Sequence, residues 1–187
     1  MRQILPVRAF HGTTESAVDT ILDTGQFLPS ENSHDWLGTG MYFWQDAPAL
    51  AWYWAEEKAR KQLNERPAVI GAVLRLSDCM DFLDALRWEG PLQHVYEELK
   101  IAREAAGSSM PSQKIGQAHT LDCLVINQMI RLYSAHGVRI RCVRAPYGED
   151  QQVFPGSAIT RRGHVQIALL DEDLIEGIWK EPPVTTP

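Results

Sequence analysis

The tetrapeptide Phe10-His11-Gly12-Thr13 is the most informative stretch for predicting the fold, because it joins a predicted strand to a predicted helix. Residues 5–10 are predicted as a short strand, and apolar side chains recur at helical spacing over 14–24. Gly12 lets a ligand approach the backbone closely, and His11 offers one ring donor and one acceptor, which suits a sugar hydroxyl. On their own, these four residues favour a helix-capping Thr13 and a buried, hydrogen-bonded His11.

A second segment, Gly38-Thr39-Gly40-Met41-Tyr42-Phe43, predicts a glycine-flanked strand over 41–44 that presents Tyr42. Tyr53 follows on a predicted helix that runs from 46 to about 63. A strand, a turn and a helix can bring both phenol rings to one cleft. Two facing aromatic rings form a slot for a flat ring, and the slot is stronger when that ring is cationic. Taken singly, either ring is better explained by core packing.

The remaining pattern favours the α+β class, because strands and helices are mixed without regular alternation. We expect strands over 68–76, 138–143, 165–169 and 174–179, and helices over 82–106 (broken at Gly90-Pro91) and 118–135. We expect residues 1–181 to form a single domain. The proline-rich end, 182–187, is predicted to be disordered.

Composition excludes several classes of protein. The chain has 187 residues, and its 18 lysines and arginines against 24 aspartates and glutamates give a net charge of −6, which disfavours indiscriminate binding of nucleic acid or anionic membrane. It contains no apolar stretch long enough for a membrane span or a secretory signal, so we expect a cytoplasmic protein without a membrane partner. The three cysteines are widely spaced, which indicates reduced thiols, and no residue spacing indicates a metal site.

In order and spacing, His11-Gly12-Thr13, Gly40-Met41-Tyr42-Phe43 and Tyr53 are similar to the donor site of PARP-like ADP-ribosyltransferases of the diphtheria-toxin group. The resemblance is best over residues 8–57. It implies an ADP-ribosyltransferase-like fold, with split mixed β-sheets and flanking helices around a cleft for NAD. NAD is then the ADP-ribose donor substrate.

The resemblance also implies a role for each matching residue. His11 would hold the adenosine ribose, the Gly12 backbone would pair with the nicotinamide carboxamide, and Tyr42 and Tyr53 would sandwich the nicotinamide. The loop 27–40 would cover the adenosine and pyrophosphate side. Leu50 stands where the family often has a serine that contacts the carboxamide. The donor-binding set that follows is His11, Gly12, Thr13, Gly40, Tyr42, Phe43, Tyr53 and His164.

Family members that transfer efficiently place a glutamate at the start of a late strand, where it stabilises the oxocarbenium-like state and orients the ribose. In this chain the corresponding segment, 163–169, carries His164 and Gln166 instead. We therefore predict that Glu149, in an acidic turn upstream, supplies the carboxylate and that Gln166 anchors the ribose. The competing interpretation makes Glu149 and its neighbour Asp150 a solvated turn. The predicted catalytic set is His11, Tyr42, Glu149 and Gln166.

These residues predict a mono-ADP-ribosyltransferase that cleaves the nicotinamide–ribose bond and passes ADP-ribose to a protein or nucleic acid. By analogy such a small enzyme is a bacterial toxin or phage-defence effector, with an antitoxin or inhibitor protein as a partner. The alternative is a non-catalytic module that binds NAD, ADP-ribose or an RNA end. A third hypothesis is an RNA 2′-phosphotransferase-like enzyme. Arg139 and Arg141 could meet a pyrophosphate or an RNA, although a solvated strand face explains them better.

Overall fold

The computed structural model describes residues 6–112, 119–148 and 151–184. Within these ranges, seven strands and four α-helices follow one another as β1 (Pro6–Thr14), α1 (Glu15–Thr24), β2 (Met41–Gln45), α2 (Pro48–Ala59), β3 (Pro67–Arg75), β4 (Cys79–Asp81), α3 (Leu86–Ala105), α4 (Thr120–Ala135), β5 (Cys142–Tyr147), β6 (His164–Leu169) and β7 (Ile175–Glu181). Short 3₁₀ turns cover Phe82–Asp84 and Glu172–Leu174. The α+β class predicted from the sequence is confirmed.

All seven strands belong to one mixed sheet in the order β4-β5-β6-β2-β1-β3-β7. Within the described part of the chain, β4 and β5 are parallel neighbours and the other strand pairs are antiparallel. The expectation of two separate sheets is therefore wrong in one respect, since the halves β4-β5-β6-β2 and β1-β3-β7 stay joined. The junction is short: β1 pairs with β2 only at Ala9↔Gln45 and Phe10↔Trp44. Beyond Phe10, β1 continues along β3 and β2 continues along β6, so the sheet forks there.

Helices cover both faces of the sheet because successive strand residues point to opposite sides. Ala9 packs with α1, through Val18 and Ile21, on one face. Phe10 packs with Ala51 of α2 on the other face. The helices α3 and α4 extend that second layer over β5 and β6. The fork between β1 and β2 therefore lies between two helical layers.

Three local predictions are wrong for identifiable reasons. Helix α3 is continuous from Leu86 to Ala105 with Pro91 inside it, because Trp88 and Val95, on either side of the proline, pack into the same core cluster. The strand expected at 138–143 is β5, which begins at Cys142. Strand β1 runs on to Thr14, so Thr13 is a strand residue rather than a helix cap.

The C-terminal segment is described as far as residue 184. Pro182 to 184 lie outside the regular elements, and the indole N–H of Trp52 donates to the carbonyl oxygen of Pro182 at 3.1 Å. The rest of the predicted disordered tail, 185–187, lies outside the described residues. Within the described ranges, no helix combines the length and the apolar character that a membrane span requires.

Candidate functional site

A cleft of about 880 Å³ opens where the sheet forks, and we call it the fork cleft. One wall comes from β1, α1 and α2, and the other from β2, β5 and β6 together with the segment 26–40. Its lining includes six residues of the predicted donor-binding and catalytic sets: His11, Thr13, Gly40, Tyr42, His164 and Gln166. Residues that are 130 or more positions apart in the chain therefore share one surface.

His11 lies at the fork itself, and its surroundings keep the imidazole neutral. Burial, with a smaller contribution from the nearby Lys58 ammonium, lowers the pKa of His11 from 6.5 to about 4. The ring Nδ1 lies 2.8 Å from the carbonyl oxygen of Tyr42, which can only accept, so Nδ1 carries the proton. The rings of Phe27 and Phe43 contact the imidazole on two sides. The remaining nitrogen, Nε2, is therefore a hydrogen-bond acceptor held in a fixed ring orientation.

Tyr42 lines the fork cleft and also anchors the loop that covers it. Its hydroxyl donates to the carbonyl oxygen of Gly38 at 2.7 Å and accepts from the N–H of Leu37 at 3.0 Å. Burial raises the pKa of Tyr42, so the phenol stays protonated. Residues 37 and 38 are buried beneath this contact. The phenol therefore fixes the position of the loop relative to β2.

Tyr53 does not line the fork cleft, because Arg162 lies between its ring and the opening. The guanidinium of Arg162 stands 4.5 Å from the ring centroid, and its Nη2 donates to the Tyr53 hydroxyl at 2.9 Å. Arg162 itself lines the cleft. The structure thus brings Tyr42 and Tyr53 to the same region without making them facing walls. The guanidinium of Arg162 is positively charged and lies against the face of Tyr53, where the sequence analysis expects a positively charged flat ring.

Gly12 and Phe43 do not line the cleft. A Cβ on Gly12 would lie 2.1 Å from the carbonyl oxygen of Ala51, so this glycine admits helix α2 rather than a ligand. Phe43 is buried in the core cluster on the α1 face, behind His11. Gly40 does line the cleft, and it also lets β2 approach Leu169 of β6.

The sequence analysis missed the part of the wall formed by α2. Trp54 and Lys58 are four residues apart, which places both on one helical face, and both line the cleft. The Lys58 ammonium donates to the hydroxyl of Thr13 at 3.0 Å, and burial lowers its pKa. Among the described residues Lys58 has no carboxylate partner. This helix face therefore offers the cleft a cation beside a hydroxyl.

Trp44 adds another donor to the cleft, and this donor has no acceptor among the described residues. Its ring stacks on Trp54, with centroids 6.2 Å apart and planes 16° from parallel. Its indole N–H is buried and has no hydrogen-bond partner in the part of the chain that the structure describes. Buried donors are nearly always satisfied, so an orphaned N–H on a cleft residue is consistent with a ligand that supplies the acceptor.

Gln166 occupies the late-strand position where a glutamate was sought. It lies on β6 opposite Trp44 of β2 and Ala145 of β5, and its side-chain oxygen accepts from the indole N–H of Trp36. His164 begins the strand and donates through Nδ1 to the carbonyl oxygen of Arg162 at 2.6 Å. Glu149 lies outside the described residues, so its predicted role stays a prediction. Among the described residues, the carboxylates that line the cleft are those of Glu31 and Asp35.

A polar cluster that the sequence analysis did not single out lies beside Gln166. His119 contacts Asp122 through Nδ1 at 3.2 Å and the hydroxyl of Tyr147 through Nε2 at 3.2 Å. His119 and Tyr147 line the cleft. The aspartate three residues after the histidine is the only sequence signal, and it is weak, because Tyr147 comes from a different element.

Two further predictions concern the surroundings of the site. Arg139 and Arg141 both pair with the carboxylate of Asp171, at 2.6 and 2.7 Å, and neither lines the fork cleft. Both arginines therefore belong to an ion-pair network outside the cleft. The solvated strand face expected for them is also wrong, because both residues precede β5 and the Arg141 side chain is only 21% exposed. No group of three or more histidine, cysteine, aspartate or glutamate side chains suited to a metal occurs within the described residues.

Comparisons with known proteins leave the function open. No family model matches the chain, and no solved structure matches it. A protein of Methanocaldococcus jannaschii, described as uncharacterized, is 33% identical over 73 residues. That match covers 38% of this chain and 34% of the archaeal protein, so the chain matches only about a third of that protein's length. The function must be argued from the fork cleft itself.

Proposed function

We propose that this chain is an NAD-dependent mono-ADP-ribosyltransferase and that NAD binds in the fork cleft. The observation that carries the proposal is the meeting of His11, Tyr42 and Gln166 in one cleft at the fork of the sheet. The sequence resemblance assigns His11 to the adenosine ribose and Tyr42 to the nicotinamide, and Gln166 is our predicted anchor of the reacting ribose. Their convergence from three strands supports the resemblance independently of residue spacing.

The chemistry of the cleft walls suits a dinucleotide. The neutral His11 presents Nε2 as an acceptor for a ribose hydroxyl. Lys58 and Arg162 are cations on the cleft wall that can neutralise a pyrophosphate. The indole rings of Trp36, Trp44 and Trp54 offer flat apolar surface for the two bases.

In this proposal the nicotinamide binds against Tyr53 by replacing Arg162. The pyridinium ring and the guanidinium are both flat cations that interact with the face of a phenol. Because Arg162 lines the cleft, its displaced guanidinium can then pair with the phosphates. Arg162→Gln would remove the guanidinium that competes with nicotinamide for the Tyr53 ring, which raises the affinity for NAD. It would also remove one phosphate contact, which lowers the affinity. We expect the two effects to offset each other in part.

Bond cleavage in the cleft leaves positive charge on the ribose, and an enzyme must stabilise it. Gln166 can bind the ribose hydroxyls but supplies no negative charge. Glu149 remains our candidate for that carboxylate. Strand β5 ends at Tyr147, which lines the cleft, so the chain is at the cleft two residues before Glu149.

The alternative function is a non-catalytic module that binds NAD, ADP-ribose or an RNA end. The contact between Gln166 and Trp36 favours it, because the amide at the key position already accepts a hydrogen bond. Such a module would keep the donor-binding walls and lack turnover.

Release of nicotinamide from NAD by the purified chain separates these functions. We expect turnover by the wild type, loss of turnover with retained NAD binding in Glu149→Gln, and loss of binding in Tyr42→Ala. The rate loss in Glu149→Gln should be roughly a hundredfold or more. Glu104→Gln, an exposed change on α3, serves as the matched control. Binding without release by the wild type would support the module, and absence of NAD binding would refute the transferase.

A second experiment identifies the acceptor and any partner. Label from NAD should transfer to either protein or nucleic acid in a cell lysate, and this decides which macromolecule is modified. Lys58→Met should weaken NAD binding about tenfold because it removes a charge-assisted contact to phosphate. Lys61→Met, an exposed change just beyond the helix, should leave affinity unchanged. Equal affinities for the two variants would remove Lys58 from the donor site.

A further inference from the structure

Asp122, His119 and Tyr147 form a chain of side-chain contacts that ends in the fork cleft. Asp122 Oδ2 lies 3.2 Å from His119 Nδ1, and His119 Nε2 lies 3.2 Å from the Tyr147 hydroxyl. The aspartate and the histidine come from the start of α4, whereas the tyrosine ends β5. Tertiary structure alone brings these three groups into line.

The donors and acceptors in this chain follow from elementary chemistry. A carboxylate only accepts hydrogen bonds, so His119 must present a protonated Nδ1 to Asp122. In the neutral imidazole Nε2 is then an acceptor, and it receives the Tyr147 hydroxyl. A phenol oxygen is an acceptor as well as a donor, and Tyr147 lines the cleft in which a bound molecule would present its proton. This order, from carboxylate to imidazole to hydroxyl, is the arrangement by which proteins activate a hydroxyl as a base or nucleophile.

Tyr147 lines the fork cleft and is linked to Gln166 through the indole of Trp36. Its ring lies between Trp36, with centroids 4.9 Å apart, and His164, with centroids 5.1 Å apart. Trp36 in turn donates to Gln166. The phenol is thus held by aromatic contacts on two sides and stands next to the residue that our proposal assigns to the reacting ribose.

A purely structural role explains this cluster less well. Asp122 lies in the first turn of α4, where a negative charge is favourable, and that accounts for the aspartate alone. The side chains of His119 and Asp122 are 27% and 43% exposed, so burial does not force them to pair. Helix α4 also begins without a side-chain cap from His119.

We propose that Asp122, His119 and Tyr147 form a proton relay that deprotonates the acceptor in the fork cleft. This inference rests on the proposed function. The acceptor's oxygen or nitrogen forms a bond to C1′ of the ribose as the C1′–N1 bond to nicotinamide breaks, and neutral nicotinamide leaves with the electron pair. The acceptor's proton passes to the Tyr147 oxygen while the tyrosine proton passes to His119 Nε2. The imidazolium, paired with Asp122, then returns its proton to solvent.

The relay is tested by the kinetics of ADP-ribose transfer. Tyr147→Phe and His119→Gln should each lower kcat by roughly a hundredfold or more, with KM for NAD within about twofold of the wild type. The double variant should be no slower than the slower single variant, because relay members act as a unit. Tyr96→Phe and His94→Gln, on α3 away from the cleft, are the matched controls. Single variants that retain wild-type kcat, or losses that multiply in the double variant, would overturn the relay.

Nitrogen NMR of His119 tests the relay without any activity. The wild type should show a single Nδ1–H tautomer at neutral pH, and Asp122→Asn should change the tautomer ratio. A mixed tautomer in the wild type would refute the relay even if the protein transfers ADP-ribose. A fixed tautomer in a protein that fails to bind NAD would instead refute the proposed donor and leave the acid–base cluster in place.

Discussion

The substitution Gly12→Ala tests whether this glycine serves packing or a ligand. A Cβ at Gly12 would lie 2.1 Å from the carbonyl oxygen of Ala51 and 3.0 Å from the amide nitrogen of Ala55. Both of these atoms belong to the backbone of α2, so no flexible side chain can move aside. The methyl group would also enter the space beside the helical hydrogen bond between those two residues.

The size of the effect follows from this contact. Relief of the clash requires α2 to withdraw from β1 by roughly 1 Å, and overpacking of this kind costs about 1–3 kcal/mol, occasionally more. Weakening one helical hydrogen bond adds about 1 kcal/mol. We therefore expect Gly12→Ala to lower the free energy of unfolding by about 3 kcal/mol, which corresponds to a fall in Tm of roughly 6–12 °C for a domain of this size.

Urea unfolding followed by tryptophan fluorescence measures this change, with Gly177→Ala as the matched control. A Cβ at Gly177 meets no atom within 4 Å, so the same substitution there should be neutral or stabilise by up to about 1 kcal/mol through the unfolded state. A Gly12→Ala variant as stable as the wild type but unable to bind NAD would show that the ligand, and not α2, requires this glycine.

Three further predictions concern single side chains. His11 should titrate near pH 4 by NMR in the folded protein, and a native midpoint near 6.5 would contradict this. Because this pKa lies below the ordinary 6.5, the contribution of His11 to the free energy of unfolding should be full above pH 6.5 and fall by roughly 1–3 kcal/mol as the pH drops towards 4. Tyr42→Phe should cost about 1–3 kcal/mol by leaving two buried backbone groups unpaired, and should speed hydrogen exchange at the Leu37 amide; unchanged exchange would show that the hydroxyl does not hold the loop. The adjacent Cys79 thiol and burial raise the pKa of Cys142, so Cys142 should resist a disulfide reagent in the native protein and react after unfolding, whereas equal rates in both states would disprove its burial.

Local sequence patterns predicted several elements correctly. Helix α1 begins and ends within a residue of its expected bounds, because its apolar spacing is regular and Gly25 adopts the left-handed conformation that ends it. Strand β6 also lies within a residue of its expected bounds, 165–169. Residues near in sequence determine such features, so a single sequence suffices for them.

The prolonged helix across Pro91 shows where local rules fail. A proline inside a helix removes one hydrogen bond, and local reasoning therefore predicts a break. Side chains on either side of Pro91 pack into one core cluster, and this tertiary contact offsets the lost bond. Propensity is a weak influence when burial opposes it.

The sequence by itself determined the α+β class, most elements and six of the residues that line the fork cleft. Tertiary structure alone decided that the sheet forks after two pairs between β1 and β2, that Arg162 covers Tyr53, and that Asp122, His119 and Tyr147 align. The reason is physical. Local spacing fixes which face of its own strand or helix a side chain occupies, whereas its neighbours from other elements depend on strand register and helix packing, which involve the whole chain at once.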